Sequence, residues 1–163
     1  MNFALVDVEP PRRDWHAPVR TSAGPAPHAL PGGDAAYLAL QTAYRGHGGI
    51  ARGEALAGCL GRAGHGGYID LARRLVGGEL FSFQWHDAFW VPLFQFDPQL
   101  LTRRDAPRQV LDELRGVMDG WEIAHWYVRE NASLDGRRPL DLLDTDLPAV
   151  LATARADRFT VDS

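Results

Sequence analysis

Two short segments rich in aromatic side chains, residues 80–85 and 89–96, are separated only by His86-Asp87-Ala88. A connection that short leaves no room for a crossover, so the two segments can pair only as an antiparallel hairpin. On both sides of them the apolar residues recur at helical rather than alternating spacing. A mainly α fold with a small β-hairpin is therefore expected. Pro92 lacks a backbone donor, which weakens the second strand or marks it as an edge.

Before the hairpin, Asp34 is a candidate N-cap for a helix over 35–45, with Tyr37, Leu38, Gln41 and Tyr44 on its packing side and Gly46, Gly48 and Gly49 as its stop. A second helix is expected over about 52–60, with Ile50, Leu56 and Leu60 on one side. A glycine-rich turn over 61–67 follows, then a third helix over 68–76 with Ile69, Leu71, Leu75 and Val76 available to pack. After the hairpin, helices are expected over 106–117, over 120–129 capped by Asp119, over 139–143 with Pro139 at the favourable first position, and over 148–156.

The chain divides on this reading into a Pro/Gly-rich arm (1–33), a helical unit with the hairpin (34–96) and a helical part (97–163). The arm carries six prolines and offers little to bury, so an extended or mobile segment is expected there, with one short strand over 1–8 as an option. No run of eighteen apolar residues is present, and no basic start followed by an apolar stretch suggests a secretory signal. The single Cys59 cannot form an internal disulfide, which fits a cytoplasmic protein.

All 17 basic residues are Arg, and the net charge is -4, which argues against a generally basic nucleic-acid binder. The charge is unevenly spread. Residues 45–76 hold five Arg against Glu54 and Asp70, a net +3, whereas residues 97–163 hold nine Arg against 13 acids, a net -4. The six His residues show no metal-ligand spacing, and Ser82 and Ser133 have no base nearby in sequence, so no cofactor, metal or catalytic group is expected.

The remaining signal is an ordered set of residues: Pro92, Phe94-Gln95-Phe96, a helix, Trp121, Trp126, Asn131, Leu134, Gly136, Pro139 and Asp141-Leu142-Leu143. In this order and spacing, over about half of the chain, the set resembles the toxin-binding domain of the Xre/MbcA/ParS-like antitoxins. Glu130 stands where that family has Pro, and Ala156-Asp157-Arg158-Phe159 replaces the Gly that follows the last helix. The resemblance implies a non-enzymatic antitoxin that occludes a cognate toxin, an NAD-consuming protein of the RES or ADP-ribosyltransferase type. It also implies a helical toxin-binding domain preceded by a degenerate winged helix-turn-helix-like unit.

Trp126, Asn131, Leu134, Arg137, Arg138, Arg158 and Phe159 are then the candidate toxin-binding residues. Against that stands a structural role for several of them: Trp121 and Trp126 as core, Asn131 as a residue that tolerates a left-handed backbone and can close a turn with its side chain, and Gly136 as a source of positive φ. The helix–turn–helix–hairpin order of residues 50–96 raises a second possibility, a transcriptional regulator that contacts operator DNA through Arg62, Tyr68, Arg73 and Arg74. Pairing of Arg73 and Arg74 with Asp70 or Glu79 is the plainer alternative. A homodimer would serve either activity. An orphan scaffold that has lost both partners is the third reading.

Overall fold

The computed structural model describes residues 33–161. The arm expected over 1–33 lies, except for Gly33, outside the described residues, and with it the optional strand over 1–8, His16 and His28; Asp162 and Ser163 lie outside as well.

The first helix, α1 (Gly33–Tyr44), begins two residues early, so Asp34 sits inside its first turn and not at the cap. A carboxylate there still complements the helix dipole. Tyr37, Leu40 and Tyr44 form its buried side, and Leu38 is exposed. A 3-10 turn (Arg45–His47) leads into a strand, β1 (Ile50–Arg52), where the sequence pointed to the approach to a helix. Helix α2 (Gly53–Arg62) then runs further than expected, which shortens the glycine-rich turn before α3 (Tyr68–Val76).

The hairpin is formed by β2 (Phe83–Trp85) and β3 (Ala88–Pro92), joined by a two-residue turn in which His86 takes a positive φ of 49°. β1 adds to its other side, giving an antiparallel sheet in the order β1-β3-β2, with Ile50 opposite Pro92 and Phe83 opposite Trp90. Pro92 therefore lies in the central strand, not at an edge. It is tolerated because it is the last residue of β3, where the chain leaves the ladder for a 3-10 turn (Leu93–Gln95). Gln95, almost fully buried, accepts from the Phe81 N–H (2.9 Å) and donates to the carbonyls of Phe81 and Pro92 (3.0 Å each). Its side chain thus extends the sheet's hydrogen bonding where the backbone ladder has stopped.

Four helices follow: α4 (Asp105–Leu114), α5 (Gly120–Val128), the short α6 (Pro139–Leu142) and α7 (Leu147–Val161). α5 opens with a reciprocal capping box, in which the Glu122 N–H donates to Asp119 and the Asp119 N–H donates to Glu122, both at 2.8 Å. Gly120 is required there, because a Cβ would lie 1.9 Å from the Ser82 carbonyl oxygen. α7 continues five residues past the expected end.

Buried apolar residues fall into two clusters. The larger joins α1, the inner residues Phe81, Phe83 and Phe94, and all four C-terminal helices, so it runs across the boundary at 96/97 drawn from sequence. Two phenols lie inside it with their hydroxyls satisfied: Tyr44 donates to the Ala124 carbonyl (2.7 Å) and Tyr127 to the Pro107 carbonyl (3.2 Å). The smaller cluster packs Leu56, Leu60 and Leu71 of α2 and α3 against Leu80, Val91 and Phe96. The fold is mainly helical with one small sheet. Among the described residues no helix is long and apolar enough to cross a membrane.

Candidate partner-binding face

The motif residues between Trp126 and Leu143 converge on one joint between α5, the loop after it, α6 and α7. At its centre Asp157, on α7, accepts from the Trp126 indole N–H (2.7 Å) and, at a longer 3.4 Å, from the Asn131 amide. One carboxylate thus ties the end of α5 and the following loop to the last helix. A charged acceptor makes such a bond stronger than a neutral one.

The loop is compact. The Asn131 side chain accepts from the Ser133 N–H (2.9 Å), its own N–H donates to the Arg137 carbonyl (3.1 Å), and the Gly136 N–H donates back to the Asn131 carbonyl (3.0 Å). Asn131 closes the turn with its side chain, as expected, from an extended backbone (φ -123°), and Gly136 (φ 77°) supplies the expected positive φ, joined by Asp135 (φ 57°). Leu134 is drawn under the loop into the larger cluster.

Trp126 and Leu134 are thus buried, and both hold the joint together from within. The loop presents Arg137, about half exposed, which donates to the Leu134 carbonyl (3.3 Å) and faces Asp135 at 3.8 Å. Arg138, next to it, grips Asp141 with two hydrogen bonds, 2.7 and 3.0 Å. His47, from the 3-10 turn after α1, meets the same carboxylate at 3.0 Å. The Arg138 bonds hold the Asp141 carboxyl below its usual range, with burial opposing them and His47 adding to them. His47 is the member sequence reasoning missed; it lies 94 positions from Asp141 and carries no local signal.

Arg158 is also spoken for. Glu113 on α4 receives Arg155 Nε at 2.8 Å and Arg158 Nη1 at 2.7 Å, which clamps the last two turns of α7 to α4. Phe159 projects into solvent with the Arg158 guanidinium 5.1 Å from its ring centre. The residues after Ala156, past the expected end of the last helix, continue that helix through Val161.

The four candidate DNA-binding residues are spread over α2 and α3. Arg62, exposed at the end of α2, reaches only the Cys59 sulfur (3.2 Å). Tyr68 opens α3 with its ring edge-on to Phe89 at 6.2 Å. Arg73 is paired with Asp70 at 3.1 Å, the plainer of the two expected outcomes. Arg73 and Arg74 share a polar cleft of about 480 Å³ with His65, Asp70, Glu79 and Arg103; Arg62 and Tyr68 do not line it.

A third group, half-buried at the tip of the hairpin, is a stack of rings. Trp85 lies between Tyr37 (5.2 Å, parallel) and Trp121 (5.7 Å), and His125 meets the Trp121 edge at 5.2 Å. Burial, and then Arg129, hold the His125 imidazole below its ordinary value. Among the described residues no buried side-chain nitrogen or oxygen lacks a partner, and no group of three or more His, Cys, Asp or Glu is placed to hold a metal ion.

Compared with known protein families, with curated proteins and with solved structures, the chain matches none of them.

Proposed function

We propose that this chain is a non-enzymatic, antitoxin-like binding protein of the cytoplasm. Its α5–α7 unit holds a cognate toxin and blocks the site at which that toxin consumes NAD. The observation that carries the reading is the joint at Asp157. Residues that the motif spaces along the chain, Trp126 and Asn131, meet on one carboxylate, and the loop they fix holds out Arg137 with Arg138 set beside it. A loop whose backbone is tied by its own hydrogen bonds loses little freedom on binding, which favours recognition by a preformed surface. Guanidinium groups at the rim suit a partner with an acidic or phosphate-lined cleft.

The test is co-expression of the full chain with the product of a neighbouring reading frame of the RES or ADP-ribosyltransferase type. Growth and cellular NAD should be restored by the full chain and lost again with Arg137→Ala/Arg138→Ala, while that variant remains folded by circular dichroism. Failure of the unaltered chain to restore either would end this assignment.

A second reading has one specific observation in its favour. The order α1-β1-α2-α3-β2-β3, with β1 added to β3, is like the order of winged helix-turn-helix units, which supports a reading of α3 as the helix offered to DNA. On this reading Arg73→Ala/Arg74→Ala should abolish a salt-sensitive gel shift on upstream DNA, and unaltered protein giving no such shift rejects it.

A further inference from the structure

Nine-residue α3 is sharply two-sided, and its outer side is not polar. Leu71 packs inward with Leu75 behind it, whereas Ile69 is 73% and Val76 90% exposed. Ile69, Ala72, Arg73 and Val76 fall at i, i+3, i+4 and i+7, so they form one stripe along the helix. Two β-branched apolar side chains on the same stripe leave part of this helix's outer face apolar and in water. They offer nothing to a phosphate backbone, and Arg73 between them is already paired with Asp70.

The charges flanking the stripe say what kind of molecule suits it. Asp70 lies in the first turn, Arg73 and Arg74 in the last. If a second α3 lies antiparallel, the acidic first turn of each helix meets the basic last turn of the other, and Ile69 of each meets Val76 of the other. The opposed helix ends add to the attraction. A parallel pair would set Asp70 beside Asp70 and Arg74 beside Arg74. The stripe is therefore self-complementary in one orientation, the condition for a two-fold interface.

We propose that this face of α3 is a self-association surface that takes a second copy of the chain, α3 packed antiparallel on α3. A nine-residue helix is about 13.5 Å long at 1.5 Å per residue. That length covers less than the roughly 800 Å² per partner of a stable interface, so the association is weak and depends on concentration. It is independent of the antitoxin reading, and it excludes use of the same face on DNA by the dimer.

Sedimentation equilibrium of the full chain from low micromolar to near-millimolar concentration tests it. The mass should rise from one chain towards two, and Val76→Glu and Ile69→Glu should each weaken association at least about tenfold, with unchanged circular dichroism. The orientation has its own test. Asp70→Arg and Arg74→Asp should each be monomeric alone, because like charges then meet, and the double variant Asp70→Arg/Arg74→Asp should associate again, because both pairs are restored with reversed sign. A wild-type mass fixed at one chain overturns the proposal, as does wild-type association by Val76→Glu. A double variant no heavier than the single variants overturns the antiparallel arrangement.

Discussion

The α5–α7 unit and the α2–α3 pair treat their side chains in opposite ways. Around α5–α7 a Trp, a Leu and an Asn from a loop are drawn inward and tied, and the exposed rim is made of Arg held by neighbours. On α3 the polar residues bind one another and two apolar residues face out. The first surface is prepared by internal bonding, so its strength depends on the joint beneath it. The second depends on nothing beneath it, because Ile69 and Val76 contribute little to the fold that carries them. Substitutions should therefore separate stability from association on the α3 side and couple them on the α5–α7 side.

The strongest test of this contrast is Trp126→Ala, which empties a buried site beneath the joint and leaves Asp157 without its indole donor. A loss of about 3–5 kcal/mol is expected from urea denaturation. A loss below about 1 kcal/mol would mean the joint is not what holds the unit. Gln95→Ala, between the two clusters, removes the partner of the Phe81 N–H and of two carbonyls, at a cost of about 2–4 kcal/mol. Asp157→Ala keeps the apolar packing and removes only the shared acceptor; about 1–3 kcal/mol should be lost. Val76→Ser on α3, by contrast, should stay within about 0.5 kcal/mol of wild type in the same assay. If it destabilises as much as Asp157→Ala, α3 is more deeply engaged than its exposure indicates and the contrast fails.

Much of this architecture is written locally. Asp119, expected to cap the helix after it, does so and forms a full capping box with Glu122; Pro139 opens α6; the bounds of α3 fall where Gly67 and Gly77 place them. What was not legible depends on distant partners. Ile50-Ala51-Arg52 is too short to show alternation and is a strand only because β3 lies beside it. Spacing makes Ile69 and Val76 as eligible to pack as Leu71 and Leu75, because on a helix with apolar residues on two sides it does not say which side is inward. α7 outlasts its apolar pattern because Glu113, 42 and 45 positions away, receives Arg155 and Arg158. Within the candidate site the motif pointed to the right segment but not to the orientations: Trp126 and Leu134 turn in, Arg137 turns out, and His47 joins from the other end of the described chain.

The smallest expected effect is a pH dependence that separates two points on the α5–α7 side. The His125 imidazole is held below its ordinary value of 6.5, chiefly by burial beside Trp121. In the unfolded chain it takes up a proton as the pH drops past that value, while in the folded chain it resists. Unfolding is then favoured by acid: the stability is present above about pH 6.5 and is lost as the pH falls towards the lower folded value. Asp141 shifts the same way but from 3.8, through its Arg138 bonds, so its share is retained until the pH falls below the ordinary carboxylate range. Thermal melts of His125→Gln should accordingly show a flatter fall between pH 7 and pH 5 than wild type, at roughly the scale of one protonation. Asp141→Asn should leave that interval unchanged and differ only in stronger acid. A His125→Gln profile identical to wild type across the interval would place the acid sensitivity elsewhere, and the half-buried ring stack at the hairpin tip would lose its part in it.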